Sequence, residues 1–297
     1  MSAKSKVHTM DERREQNLEQ EKRLRARMDK VKHKIAVISG KGGVGKSTVT
    51  VNLAAAFALQ KNVKNVGILD ADIHGPSIPK IIGLEGQRLQ VGPPGIFPAA
   101  GPLGIKVVSM EFLLPDEKAP VIWRGPLKMT AIRQFMSDIV WGDLDFLLID
   151  LPPGTGDEPL SVAQLLPEMD GVVIVTIPSE VSQIVVKKAV TFARKLGLPI
   201  IGIVENMSGF VCPKCGTKID IFKSGGGQKI SEELGVPFLG SIPLDQKVCE
   251  DSDKGRPFII EHKDSPASKV FMKIVKKVRA FISTERKTET SSRGKNT

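Results

Sequence analysis

The sequence predicts an α/β fold, one domain built on a mostly parallel sheet with helices on both faces. Three observations predict it. Short runs rich in Val and Ile alternate with longer helical patterns between residues 35 and 261. Several of those runs are apolar at consecutive positions, as strands buried on both faces are. The first strand pattern leads through a glycine-rich loop into a helix, the opening of a right-handed crossover.

Taken in order, residues 1–34 are dense in Glu, Gln, Lys and Arg, and their apolar residues (Leu18, Leu24, Met28, Val31) are too sparse for a core-facing stripe. A solvated or frayed helix, or disorder, is expected there. Strands are expected at residues 34–39, 66–70, 105–109, 146–150, 171–177, 200–204 and 238–242, and helices at 46–60, 127–140, 179–196 and 226–234. The Gly- and Pro-rich piece 83–104 reads as a loop insertion. Val270, Phe271, Ile274, Val275, Val278, Phe281 and Ile282 recur at helical spacing among lysines. That pattern fits a terminal helix packed on its own domain, or a membrane-surface helix. The domain is expected to span residues 35–283, and 284–297 to form a disordered basic tail.

The chain has 297 residues, a net charge of +10 and three cysteines. Residues 1–34 carry a net +5 and residues 262–297 a net +7, which leaves −2 for everything between. The basicity belongs to the ends, so no specific nucleic-acid surface is expected on the folded body. Three cysteines make no disulfide scaffold, and no apolar run is long enough for a transmembrane segment. With no secretory leader visible, a reducing, cytoplasmic setting is expected.

The strongest chemical signal is GKGGVGKST at residues 40–48: Gly40, Lys41, Gly42, Gly43, Val44, Gly45, Lys46, Ser47 and Thr48. It satisfies G-x-x-x-x-G-K-[ST] after a strand and before a helix, the context of a phosphate-binding loop in a P-loop NTPase domain. Glycines let backbone N–H groups turn inward on phosphates, and the helix N-terminus adds positive potential. Lys46 would neutralise phosphate charge and Ser47 would ligate Mg²⁺. Two more strands end in carboxylates at the same edge of the sheet. Asp150 closes one in the position of a Walker B residue, and the adjoining LPPGTGD turn could sense a γ-phosphate through a backbone N–H. Asp70 closes the other, and Asp72 lies just beyond it on the loop, placed to orient attacking water.

Cys212 and Cys215 form a C-x-x-C whose spacing alone leaves zinc, an iron–sulfur cluster and a redox couple open. Cys249 sits on an apparent helix, with packing as its expected role. His74 reads as a loop residue, His33 and His262 as residues of the tails, and Trp123 and Arg124 as part of a loop.

The second lysine of the loop, Lys41 in KGGVGKS, resembles the deviant Walker A of MinD/ParA-type ATPases, the SIMIBI class of P-loop proteins. The words DADIHGPS, DLPPGTGD, ENMS, CPKC, SGGGQK and PFLGSIPLD stand in the order found in the Mrp/ApbC-type iron–sulfur cluster carrier ATPases. That resemblance covers about residues 35–257. It implies Lys41 acting in trans across a homodimer, Lys46 in cis, Asp72 activating water, Asp150 in the second shell of Mg²⁺, and Asn206 at the adenine edge. It further implies a [4Fe–4S] cluster bridging two subunits and delivered to apo iron–sulfur proteins, with ATP hydrolysed in the cycle. Two copies of a two-cysteine site supply the four thiolates such a cluster requires. Zinc bridging the same four sulfurs, and a positioning ATPase acting on DNA or membrane through its basic ends, are the alternatives. A P-loop electron donor like the nitrogenase iron protein ranks below them, because its bridging cysteines lie far apart in sequence.

Overall fold

The computed structural model describes residues 3–72, 75–113, 125–166, 168–212 and 214–293. His74, Trp123 and Arg124 lie outside them. The first half runs α1 (Ala3–Met28), β1 (Val31–Ile38), α2 (Lys46–Ala58), β2 (Val66–Asp70), α3 (Ile78–Ile82), β3 (Gln90–Gly92), β4 (Gly95–Phe97), β5 (Ala99–Ala100), β6 (Lys106–Ser109), α4 (Gly125–Asp138) and β7 (Leu144–Asp150). Next come α5 (Asp157–Leu165), β8 (Gly171–Thr176), α6 (Glu180–Lys195), β9 (Ile200–Glu205), β10 (Phe210–Val211), β11 (Lys218–Ile219) and α7 (Gly226–Leu234). The chain finishes with β12 (Phe238–Ser241), α8 (Gln246–Asp253), α9 (Phe258–Glu261) and α10 (Pro266–Arg293).

Eight strands form one sheet in the order β12-β9-β8-β1-β7-β2-β6-β5. All its pairings are parallel except that of the short edge strand β5 with β6. The central strands carry the consecutive apolar residues that the sequence showed. On one face α2, α3, α9 and α10 bury Val49, Leu53, Phe57, Ile78, Phe258 and Phe271. On the other α1, α4, α6 and α7 bury Met28, Phe135, Val186 and Ile230. Because the strands are parallel, their carboxyl ends share one edge. There the loops after β1, β2, β7 and β9 converge, where ligands of open α/β sheets bind.

Several expectations change. The N-terminal extension is not wholly solvated: the last turns of α1 bury Leu24 and Met28 against the sheet, and β1 starts at Val31, three residues before the predicted strand. His33 is a buried strand residue rather than a tail residue. Its Nδ1 lies 3.0 Å from Asp170 Oδ1, and its ring stacks on Phe146. His262 ends α9, with Nε2 2.9 Å from Asp251 Oδ2. The insertion 83–104 is not a bare loop, since it folds into the β3–β4 hairpin and the edge strand β5. Cys249 is exposed on α8, so packing is not its role. α10 runs to Arg293, past the expected onset of disorder at residue 284. Its apolar face (Phe271, Ile274, Val275, Val278, Ile282) is buried on the domain, the packed form of the two expected for this helix.

The packed end of α1 yields a direct test by chemical denaturation. Met28→Ala is expected to lower stability by about 2–5 kcal/mol, the range for emptying a buried methionine site. Leu18→Ala, at a position 54% exposed on the same helix, is expected to stay within about 0.5 kcal/mol of the parent.

Candidate nucleotide and cysteine site

Residues 39–45 link β1 to α2 at the carboxyl edge of the sheet, and Gly43 and Gly45 hold positive φ angles of 76° and 78°. A Cβ added at Gly42 or Gly43 would meet nothing within 4 Å, so the loop borders open space of the kind a phosphate group fills. Gly45 is needed for a second reason: a Cβ there would collide with Asn206 Nδ2. Ser39 Oγ donates to the Lys41 carbonyl at 2.9 Å, closing the first turn of the loop.

Asp150 organises the start of α2. It is fully buried at the end of β7, and Oδ2 accepts from Lys46 Nζ at 2.7 Å and from Ser47 Oγ at 2.6 Å. Oδ1 accepts from Thr50 Oγ1 at 2.8 Å. An ammonium and two hydroxyls thus satisfy a carboxylate that would otherwise be costly to bury. Lys46, Ser47 and Thr50 lie on the first two turns of α2, so this one group fixes the start of the helix and the loop before it.

Asp70 stands opposite Asp150 in the register of β2 and β7. Burial first, then the Asp150 charge, pushes the Asp70 carboxyl up to about 8, against opposing pulls from Lys46, Ser109 and the Asp72 backbone. Asp70 also shapes the loop after β2, accepting from the Asp72 N–H at 3.2 Å and the Ile78 N–H at 3.3 Å, with Ser109 Oγ 3.0 Å away. Asp72 is nearly buried at the mouth of that loop, and Oδ1 accepts from the Gly75 N–H at 3.1 Å. After β7, the Gly154 N–H donates to the Ser39 carbonyl at 2.8 Å. That donor of the LPPGTGD turn is therefore engaged by the phosphate loop itself rather than aimed at a phosphate.

Asn206 leaves β9 directly over the loop, and its Nδ2 donates to the Val44 carbonyl at 2.9 Å. Four residues on, β10 and β11 form a small hairpin that carries the cysteines at its tip. The Cys212 N–H donates to the Thr217 carbonyl and the Gly216 N–H to the Cys212 carbonyl, both at 2.9 Å, which closes the chain between the two cysteines and Thr217 into a tight turn. Cys212 is half-buried and Cys215 exposed. Hydrogen bonding with the Thr217 hydroxyl, 3.2 Å from Sγ, then with the Thr217 backbone and with Cys212, holds the Cys215 thiol below its ordinary value. No helix starts at this pair, unlike the redox form of C-x-x-C. Among the described residues no group of three or more His, Cys, Asp or Glu gathers to hold a metal ion.

The structure thus brings residues 40–48, Asp70, Asp72, Asp150 and Asn206 to one sheet edge, with the cysteine hairpin four residues of chain beyond Asn206. Sequence reading missed Thr50, Ser109 and Glu205. Each is a polar residue in an otherwise apolar stretch, Thr50 four residues after Lys46 on α2 and the other two closing strands.

Residues 30–279 match the model of a family described as ParA, the NUBPL iron-transfer P-loop NTPases. An iron–sulfur cluster carrier protein of Methanocaldococcus jannaschii is 59% identical over 260 residues, which cover 88% of each chain. A protein of the same description from Saccharolobus solfataricus is 54% identical over 256 residues, 86% of each chain. A solved structure from Archaeoglobus fulgidus, described as a nucleotide-binding protein in complex with ADP, is 43% identical, with 84% of this chain and 95% of that one covered and a TM-score of 0.72. These matches extend over most of the chain and over most of each relative, and the chain belongs to the NUBPL iron-transfer P-loop NTPase family.

Proposed function

We propose that the protein is an ATP-dependent iron–sulfur cluster carrier: two copies hold one [4Fe–4S] cluster between their cysteine hairpins and pass it to apo iron–sulfur proteins. The observation that carries this reading is the Cys212/Cys215 hairpin, half-buried at Cys212 and exposed at Cys215, which begins four residues after Asn206 meets the phosphate loop. It supplies two thiolates where four are required, so a second copy completes the set. The names borne by the close relatives support the same cargo.

Within each subunit, the N–H groups of residues 42–47 would bind the phosphates and Lys46 would neutralise them. Ser47 would ligate Mg²⁺ and Asp150, which accepts from the Ser47 hydroxyl at 2.6 Å, would stand in its second shell, the ion supplying charge neutralisation at the phosphates when bound. Asp72 would orient the attacking water and accept its proton. Asn206 sits over the loop with an amide able to offer both a donor and an acceptor to the adenine edge. Lys41 would reach the phosphates of the partner, coupling nucleotide to dimer geometry and hence to the hold on the cluster. The cycle runs without chemistry on the cluster itself, and the reduced thiols it needs suit a cytoplasmic setting. No helix among the described residues is long and apolar enough to cross a membrane.

Anaerobic reconstitution with iron and sulfide analysis tests the cargo. The parent protein is expected to bind about four iron per two chains and to gain visible absorption. Cys212→Ser/Cys215→Ser is expected to bind none, and equal iron on both proteins, or zinc retained in place of iron, contradicts the reading. Steady-state kinetics test the hydrolytic roles. Asp72→Asn is expected to lower kcat by on the order of 10²–10⁴ with ADP affinity kept, as for loss of a general base. Lys46→Ala is expected to lose nucleotide binding itself.

A further inference from the structure

The chain leaves the sheet after β9 and returns to it at α7, and the excursion between carries both cysteines. Glu205, the last residue of β9, is fully buried, and its carboxylate grips both stems of that excursion. Oε1 accepts from Ser208 Oγ at 2.5 Å on the outgoing stem and from the Gly225 N–H at 3.0 Å on the returning one. Oε2 accepts from the Gly227 N–H in the first turn of α7, where a Cβ would press within 2.9 Å of the Glu205 side chain. Ser241 Oγ at the end of β12 makes a fourth contact at 3.3 Å. The next residue is Asn206, whose side chain donates to Val44 and fills the space over Gly45. One dipeptide therefore touches the phosphate loop with one side chain and holds the base of the cysteine hairpin with the other. Between Asn206 and β10 the backbone is tightly held, with Met207 at a φ of 56° and the N–H groups of Ser208 and Leu244 bonded to the Ile242 and Gly209 carbonyls.

We propose that Glu205 is a positioning residue that couples the nucleotide loop to the cysteine pair. A shift of Val44 and Gly45 on nucleotide binding moves Asn206, and the Glu205 carboxylate passes that shift to both stems of the hairpin. The path runs through the Asn206–Val44 hydrogen bond, the Glu205–Asn206 peptide and the hydrogen bonds of Glu205 to Ser208 and Gly225, and reaches the cysteines along the two stems. The inference rests on nucleotide binding at the loop, as in the carrier reading, and is tested without iron.

The test is the alkylation rate of Cys212 and Cys215 by iodoacetamide in the reduced, iron-free full chain, read by mass spectrometry with and without magnesium ADP or a non-hydrolysable ATP analogue. In the parent, nucleotide is expected to change that rate by about fivefold or more, a typical coupling between sites. Glu205→Gln, and the milder Ser208→Ala if the first variant does not fold, are expected to keep the nucleotide-free rate and the ADP affinity while losing the nucleotide response. Cys249, exposed on α8, serves as the internal reference and is expected to react alike throughout. A parent without a nucleotide response overturns the proposal. So does a variant that keeps the response, or one whose nucleotide-free rate rises, which marks a purely structural role. Iron loading plays no part in these outcomes, so failure here and failure of the carrier reading are told apart.

Discussion

The carboxylate of Asp150 is the constraint on which the nucleotide site depends. A buried carboxylate without partners would cost several kcal/mol, and this one has an ammonium and two hydroxyls, all from the first two turns of α2. Those bonds fix the start of α2 against the carboxyl end of β7, where residues 39–45 arrive from β1 and border open space at Gly42 and Gly43. The neighbouring Asp70 carboxyl is pushed up to about 8 by its burial first and then by the Asp150 charge.

Glu205 plays a parallel part on the far side of the loop. Asp150 ties β7 to α2, and Glu205 ties β9 to α7 and to the stem of the cysteine hairpin. Both are buried acids at carboxyl ends of parallel strands, and their two strands flank the central pair β8 and β1 in the sheet order. These bonds tie a hairpin of two-residue strands, exposed at Cys215, to the buried end of β9. Its anchor lies in the core rather than in the hairpin.

Much of this was legible in the sequence. Consecutive Val and Ile mark strands buried on both faces, and the loop from Gly40 to Thr48 announces its own strand and helix, so the α/β architecture and the phosphate site come from local pattern. Asp70 and Asp150 were legible because an acid that ends an apolar run stands out. Glu205 ends such a run too, but in the word ENMS the amide of Asn206 carries the resemblance and overshadows its neighbour. His33, Leu24 and Met28 were misjudged for a related reason. Their neighbours are charged, and no window of α1 carries a full apolar stripe, so only tertiary packing reveals that the last turns are buried. Cys249 illustrates the converse, since a cysteine on a helix reads as core until the helix is seen to turn that side outward. The partners of Asp150 on α2 lie about a hundred positions away in sequence, beyond any local pattern.

The central claim is that the cysteine pair is half of a site completed by a second copy. Native mass spectrometry of anaerobically loaded protein tests it most directly. The account predicts a species of two chains with one [4Fe–4S] cluster, lost when Cys215 is replaced by Ser. A cluster carried by a single chain, or a loaded dimer that survives that replacement, would contradict it.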